Sequence, residues 1–227
     1  MKKIILTAVF GCLATLFAVN ANAQTSTKSF ETPVVSINGT TYSSFAQALQ
    51  YIWNHSEDEL FVSLLTDIDM GDAYPRRPSI SDFTTRPTDY AGFRGTFDGR
   101  NHTISNLLAA TSLFGTLYGS VKNLTIDRAM LVASSTEPVA LICDVCDENG
   151  TIEDVAITNS ELTNQSGACN GIAGYLYGTI SNTTFRDNRI NITSSTAKNC
   201  GIAYIPDYTK GSVDNCSVGN NEGVTYR

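Results

Sequence analysis

The chain has 227 residues, with 22 acidic and 15 basic side chains and a formal net charge of −7. An acidic chain without a basic cluster argues against binding to nucleic acid or to an anionic membrane surface. Only 16% of the residues are charged, while Thr, Ser, Asn and Gly are abundant, a composition typical of short strands joined by tight turns.

The N-terminus has the pattern of a secretory signal peptide over residues 1–23. A basic start, MKK, is followed by an apolar run over residues 4–19 and by the triplet ANA, which ends at Ala23. We expect cleavage after Ala23 and export of a chain that starts at Gln24 to the periplasm, the surface or the medium of a bacterium. The apolar run is too short to predict a membrane span. The stretch VFGC, which ends at Cys12, leaves a lipoprotein anchor as the less favoured alternative.

Residues 24–89 are predicted to form an N-terminal cap. Ser43 or Ser44 can cap a helix over residues 44–54. The apolar residues of this helix share one face: Phe45, Ala48, Leu49, Ile52 and Trp53. A strand is predicted over residues 60–70, and a surface loop over residues 71–89. A helix followed by a strand can close the end of a stack of strands that would otherwise expose its edges and core.

Residues 90–227 contain a repeat of about 30 residues. Each copy ends with an apolar residue, any residue, Asn or Asp, a small or apolar residue, any residue, and an apolar residue. In the four copies this pattern begins at Val121, Ile152, Ile180 and Val213, with a glycine shortly before each. An upstream landmark begins at Leu113, Leu141, Ile172 and Ile202, at spacings of 28, 31 and 30 residues. Ile104 begins a candidate fifth copy.

A fixed period of this length, without a long helical pattern, predicts a stacked architecture. We expect an all-β fold, a single-stranded parallel β-helix of about four to six coils with a short N-terminal capping helix. In such a fold, the strands of successive coils pair with each other and equivalent side chains form ladders.

The Asn or Asp position of each copy coincides with a change of phase in the apolar alternation. Val121 points inward in the first copy, and so do Leu124 and Ile126. A change of phase requires a bend, and Asn tolerates the left-handed conformation that a tight bend needs. We therefore expect a structural corner ladder at Asn123, Asp154, Asn182 and Asn215.

The stretch GIAGYLYGTISNTTF, which begins at Gly171, resembles the GLUG motif, a repeat of bacterial secreted and surface proteins. The stretch YAGFRGTFDGRNHTISNL, from Tyr90 to Leu108, resembles the start of a right-handed, pectate-lyase-like β-helix. Together these resemblances cover Tyr90 to Arg227. They imply a right-handed coil and an exported or surface protein. The zinc site of the metallopeptidases that can carry GLUG repeats is not expected here, because the sequence contains no H-E-x-x-H.

Tyrosines recur on the face predicted to point outward. Strand alternation places Leu117 and Leu176 inside, and therefore places Tyr118 and Tyr177 outside at equivalent positions. The full set of candidate ligand-binding residues is Tyr118, Tyr175, Tyr177, Tyr204 and Tyr208. Exposed aromatic rings on a rigid face suit sugars or a protein partner, although tyrosine also simply covers sheet surfaces well.

Two further groups of side chains are candidate sites. Asp67, Asp69 and Asp72 could bind Ca²⁺, the one cofactor considered, or could form an ordinary polar face. Cys143 and Cys146 could form a local disulfide, a redox pair or half of a metal site, or could simply be neighbours. Cys169 and Cys200 fall at nearly equivalent places of adjacent coils, where they could bond or stack. Cys216 is predicted to be a buried, inert thiol on the inward ladder.

The sequence is compatible with three functions. The favoured hypothesis is a secreted or surface-associated, non-catalytic module that binds a glycan or a surface protein and acts in adhesion. The first alternative is a small polysaccharide lyase or hydrolase that works along one face of the same fold. The second alternative is a structural subunit of a larger surface assembly that associates end to end.

Overall fold

A computed structural model describes residues 32–71, 84–191, 199–206 and 210–223. The predicted signal peptide, Cys12, Asp72 and Tyr208 lie outside these residues. The part of the chain from Thr32 to Arg227 forms one compact unit.

One short helix and nineteen strands make up the described residues. The helix, α1, is Phe45–Asn54. The first ten strands are β1 Val35–Ile37, β2 Thr40–Tyr42, β3 Phe61–Leu64, β4 Ile68–Asp69, β5 Thr96–Ser105, β6 Leu108–Ala109, β7 Thr116–Leu117, β8 Ser120–Asp127, β9 Met130–Ala133 and β10 Cys143–Cys146. The others are β11 Thr151–Thr158, β12 Glu161–Asn164, β13 Ala173–Leu176, β14 Thr179–Ser181, β15 Thr184–Arg186, β16 Arg189–Asn191, β17 Ala203–Tyr204, β18 Ser212–Asp214 and β19 Ser217–Gly219.

The strands form three sheets that wind into a parallel β-solenoid. Sheet A has eleven strands, sheet B has the order β16-β12-β9-β6, and sheet C has the order β17-β13-β10-β7. One coil takes one segment from each sheet in turn, as in β8, β9 and β10. The solenoid has about three turns, which confirms the predicted fold class, although the count is slightly below the four to six coils predicted. Sheets B and C each stack four strands, and the chain makes three turns between the first and the fourth strand of a sheet. The handedness of the coil stays a prediction.

The core is a set of apolar rows that run along the solenoid axis. Val121 pairs with Ile152, and Ile152 with Ile180, in parallel register; all three side chains have no exposed surface. Burial of these rows is the main force that holds the coils together. The stacking of the coils also requires glycine before the strand. A Cβ at Gly178, for example, would collide with the backbone oxygens of Gly150 and Asp147 in the preceding coil.

The corners of the coil are residues in the left-handed conformation. The four residues of the predicted corner have φ of 52° at Asn123, 52° at Asp154, 49° at Asn182 and 48° at Asn215. Asn215 Nδ2 donates to Asn182 Oδ1 at 2.7 Å, so the side chains also bond between coils. The structure adds a second left-handed row that was not predicted: Asn106, Arg128, Asn159, Asp187 and Asn220.

The N-terminal end of the solenoid is closed by α1 and by an antiparallel pair, β1 and β2. Ser44 caps the helix by accepting a hydrogen bond from Gln47 N at 3.4 Å. The buried face of α1 packs over the first coil, where the rings of Phe45 and Phe97 lie 6.5 Å apart. Trp53 Nε1 donates to the carbonyl of Leu113 at 2.9 Å and ties the cap to the repeats. Among the described residues, no helix has the length and apolarity that crossing a membrane requires.

Within the described residues, no further coil covers β18 and β19. Val213 continues the row of Val121, Ile152 and Ile180, yet 41% of its surface is exposed. The prediction that Cys216 is buried is wrong for the same reason. Cys216 is only partly buried, because no further coil covers its row within the described residues.

Candidate functional site

Three of the predicted tyrosines meet on the outer face of sheet C. Tyr175 in β13 is in register with Val145 in β10 and with Tyr204 in β17. The ring centroids of Tyr175 and Tyr204 lie 5.8 Å apart, and those of Tyr175 and Tyr177 lie 6.4 Å apart. These three residues are called the tyrosine cluster below. The cluster faces outward because Leu176, between two of its members, is fully buried.

Tyr118 stands apart from the tyrosine cluster. In the coil between Tyr118 and Tyr177 the equivalent position is held by Asp147, since Cys146 pairs with Leu117 and with Leu176. Two coil spacings of about 4.8 Å therefore separate the two tyrosine positions. The Arg94 guanidinium lies over the Tyr118 ring, with Cζ 4.4 Å from the centroid.

A groove of about 500 Å³ runs beside the tyrosine cluster. Its lining residues are Ser135, Glu137, Pro138, Val139, Asp144, Val145, Tyr175 and Tyr177. Val145 and Tyr175 come from the outer face of sheet C and form the floor. Residues 135–139, which connect β9 to β10, form the wall. The volume falls within the range of small-molecule sites in proteins, about 300–1,000 Å³.

The buried side chain of Asn164 holds the wall in place. Asn164, only 1% exposed, accepts from the backbone N of Ser135 at 2.9 Å and donates to the carbonyl of Glu137 at 3.2 Å. The floor is shaped to receive the wall, because a Cβ at Gly174 would collide with the carbonyl oxygen of Pro138. These contacts fix the position of the wall relative to the floor of the groove.

One hydrogen bond crosses the groove from floor to wall. Tyr175 Oη donates to Glu137 Oε2 at 2.8 Å. This hydrogen bond, with a smaller effect of burial, raises the pKa of Tyr175 to about 12. The phenol therefore stays protonated at neutral pH and remains a hydrogen-bond donor.

An ion pair borders the other side of the groove. Arg86 Nη2 lies 2.8 Å from Asp144 Oδ2, and the two side chains are only 14% and 27% exposed. Burial raises the pKa of Asp144, while the Arg86 guanidinium and the nearby Ser112 hydroxyl oppose that rise. The second carboxylate oxygen, Oδ1, is buried and makes no hydrogen bond of ordinary geometry among the described residues.

Arg86 reaches Asp144 across an entire coil. Thr84 pairs with Ala109 and Phe93 pairs with Leu117, so the segment of Arg86 belongs to the coil below β6 and β7, whereas Asp144 belongs to the coil above them. The backbone N of Arg86 donates to Thr111 Oγ1 at 3.0 Å, and its Nε donates to the carbonyl of Ser112 at 3.4 Å. These hydrogen bonds fix Arg86, which lies within the segment 71–89 that was predicted to form a loop, against the repeats.

The aspartates proposed for Ca²⁺ act as hydrogen-bond acceptors within the fold. Asp67 and Asp69 are both exposed. Asp67 Oδ1 accepts from the backbone N of Thr103 at 2.9 Å. Asp69 Oδ1 accepts from Asn106 Nδ2 at 2.8 Å. Both pKa values are lowered, by the backbone hydrogen bond at Asp67 and by the amide hydrogen bond at Asp69. The part of the chain described contains no group of three or more His, Cys, Asp or Glu side chains that could hold a metal ion.

Cys143, Cys146, Cys169 and Cys216 are free thiols. Cys143 and Cys146 occupy different inward rows, since they pair with Ala173 and Leu176. Burial raises the pKa of Cys143, and the Cys146 thiol beside it adds to the rise. Cys169 is also buried, and burial raises its pKa to about 12, so the thiols of Cys143 and Cys169 stay protonated and weakly nucleophilic.

The register explains why Cys169 and Cys200 do not bond. Ala173 pairs with Ala203, which places Cys169 level with Asn199 and places Cys200 one position further along. Asn199 Oδ1 accepts from the backbone N of Cys169 at 2.9 Å, in agreement with that register. Successive positions in an extended segment point to opposite sides, and Cys200 is accordingly less buried than Cys169.

Glu137, Asp144 and Arg86 were not predicted as site residues from the sequence. Glu137 follows a serine-rich stretch, and Asp144 stands between two cysteines, so neither has a recognisable motif. Comparisons with protein-family models, with curated proteins and with solved structures found no match.

Proposed function

We propose that the chain is an exported, non-catalytic glycan-binding module of the GLUG type on a pectate-lyase-like solenoid, and that it acts in adhesion at a bacterial surface. The observation that carries this proposal is the groove in which Tyr175 and Tyr177 meet Glu137 and Asp144. The signal peptide supports export, and the GLUG resemblance supports a surface location.

The groove offers what a sugar ring needs. Aromatic faces bind the C–H surface of a pyranose, while hydroxyl and carboxylate groups at the edge accept or donate hydrogen bonds to sugar hydroxyls. Tyr175 and Tyr177 supply the faces, and Ser135 and Glu137 supply polar groups on the opposite wall. The floor and the wall are held by sheet pairing and by Asn164, so little conformational entropy would be lost on binding.

The carboxylates of the groove are engaged in structural roles, which supports binding over catalysis. Glu137 accepts from the Tyr175 hydroxyl and Asp144 is paired with Arg86. A glycosidase needs one carboxyl group that is protonated and another that is free to attack or to activate water. An ion-paired carboxylate is a poor general acid, because the guanidinium stabilises its charged form.

A glycoside hydrolase is the second candidate function. One observation favours it: two carboxyl groups border a single groove, and burial raises the pKa of one of them, Asp144. This is the asymmetry by which paired carboxyl groups divide into an acid and a base.

Tyr177→Ala tests the binding proposal, with Tyr118→Ala as its matched control. We expect an array of bacterial and host glycans to identify a ligand for the wild-type chain. Tyr177→Ala should weaken binding of that ligand about five- to thirty-fold, because one stacking contact contributes about 1–2 kcal/mol. Tyr118→Ala should change the affinity less than two-fold, because Tyr118 lies outside the groove and packs against Arg94.

Calorimetry measures both affinities, and mass spectrometry of the incubated ligand detects cleavage. Equal effects of the two variants would remove the groove as the binding site. Shortened products that disappear in Glu137→Gln would replace the binding module with the hydrolase.

A further inference from the structure

We propose that the groove selects uncharged sugars and rejects acidic ones. This inference rests on the glycan-binding function proposed above and names the class of ligand. The expected selectivity follows from the charges that line the groove and from the partners of Arg86 and Arg94.

Among the described residues, the lining of the groove contains acidic residues but no lysine, arginine or histidine. The two acidic residues in the lining of the groove are Glu137 and Asp144. Glu137 is exposed on the wall. A uronic acid bound against the tyrosine cluster would bring its carboxylate close to that of Glu137, and like charges at such distances repel.

Arg86, the cation paired with Asp144 at the edge of the groove, is not available to compensate a ligand's charge. The Arg86 side chain is only 14% exposed and already forms the ion pair with Asp144. Its Nε is directed to the carbonyl of Ser112, and its Cζ lies 5.8 Å from the centroid of the Tyr90 ring. To bind an acidic sugar, Arg86 would have to abandon a largely buried carboxylate, which costs several times what an exposed pair would return.

Arg94, which lies beside Tyr118, is paired as well. Arg94 lies over Tyr118, and its Nε is 3.4 Å from Glu57 Oε2. The chain as a whole carries a net charge of −7. The long-range field therefore adds to the repulsion of an anionic polysaccharide.

An uncharged sugar gains from the same groups. Its hydroxyl groups can donate to the Glu137 carboxylate, and hydrogen bonds to a charged acceptor are stronger than those between neutral groups. Its apolar face can pack on Tyr177 without loss of an ionic hydration shell. The carboxylate of a uronic acid has no proton to donate at neutral pH, so it loses the hydrogen bond and adds repulsion.

Matched pairs of oligosaccharides test this inference. Each pair shares its backbone and linkage and differs only at C6: galactan with galacturonan, glucan with glucuronan, and mannan with mannuronan. For every backbone that binds, we expect the neutral member to bind at least ten-fold more tightly than the acid at low ionic strength. The ratio should fall in 1 M NaCl, where screening acts within about 3 Å.

Glu137→Gln should reduce the neutral-to-acid ratio at least three-fold. Glu148→Gln is the matched control, since Glu148 is an exposed carboxylate that does not line the groove; its ratio should stay near that of the wild type. The acids are measured both with Ca²⁺ and with a chelator.

The outcomes separate the two proposals. A preference for uronic acids, with or without Ca²⁺, would overturn the selectivity and leave glycan binding in place. Equal shifts in Glu137→Gln and Glu148→Gln would also overturn it, because the discrimination would then come from net charge and not from the groove. Failure of every oligosaccharide and of the wider glycan array to bind would overturn both proposals.

Discussion

The inward row that begins at Val121 provides an internal measure of how much the stacking of coils stabilises the fold. Val121 and Val213 are the same residue type at equivalent places of two strands, β8 and β18. Val121 has no exposed surface, whereas Val213 is 41% exposed. Val121→Ala and Val213→Ala therefore remove the same atoms from a closed site and from an open one, while any change in strand propensity is shared.

The expected costs differ because only the closed site leaves a cavity. Val→Ala removes two methylene equivalents, which contribute about 0.8 kcal/mol each when fully buried. A cavity of about 50 Å³ would add about 1 kcal/mol at roughly 24 cal/mol per Å³. We expect Val121→Ala to lower the free energy of unfolding by about 2–3 kcal/mol. Val213→Ala should cost less than about 1 kcal/mol, because part of its surface is already in water and water fills the vacated space.

Urea unfolding at equilibrium measures both costs. Far-UV circular dichroism follows the whole solenoid, and the fluorescence of Trp53, the single tryptophan, follows the capped end. In a thermal scan, Val121→Ala should lower Tm by about 4–12 °C, at about 2–4 °C per kcal/mol for a unit of this size.

Equal costs for the two variants would refute the reasoning. If Val213→Ala were as damaging as Val121→Ala, the last coil would be covered in solution, and light scattering would show whether a second copy covers it. If Val121→Ala cost less than about 0.5 kcal/mol, the assignment of this row to the core would be wrong.

Two further predictions concern the ion pair and the thiols. Arg86→Met should lower the free energy of unfolding at pH 7 by about 1–3 kcal/mol, because it leaves a largely buried carboxylate without its partner. Since burial raises the pKa of Asp144, the folded state holds this proton above the usual carboxyl pKa near 3.9, so stability falls as pH rises through that window. Urea midpoints measured from pH 3.5 upward should fall more steeply for Arg86→Met, and adding Asp144→Asn should remove the difference; parallel curves would contradict the role of the pair. In the native protein a thiol reagent should label Cys200 and Cys216 first, and the three buried cysteines only in urea, as mass spectrometry of labelled peptides can show; intact mass without reduction would reveal a disulfide as a loss of about 2 Da.

The solenoid could be predicted because its signal is repeated. Each copy carries the same apolar spacing and the same glycine, and parallel pairing brings equal positions together. The left-handed row through Asn123 was accessible for a related reason, since a change of phase in the sequence marks the bend. The second row was missed because Arg128 holds one of its positions, and arginine gives no indication of a left-handed φ.

The groove could not be predicted to the same extent, because it depends on contacts that no repeat encodes. Arg86 and Asp144 are 58 residues apart and meet across an intervening coil. Glu137 faces Tyr175 only because the connection after β9 folds back over sheet C. The exposure of Cys216 was missed for a different reason: the spacing of apolar residues assigns a side chain to a row, but the neighbouring coil decides whether that row is covered.

The similar spacing between coils sets the order in which the chain should fold. Hydrogen bonds that join neighbouring coils connect residues at separations such as 22 positions, between Arg128 and Asn106, and 37 positions, between Asn106 and Asp69. The entropy of loop closure depends on the logarithm of loop length, so each added coil meets nearly the same kinetic barrier as the one before it. A stack of similar steps grows from whichever end is templated first. Here α1 and the β1–β2 pair supply that template. We therefore expect the coils to close in chain order, with the strands around Val213 the last to dock and the first to open.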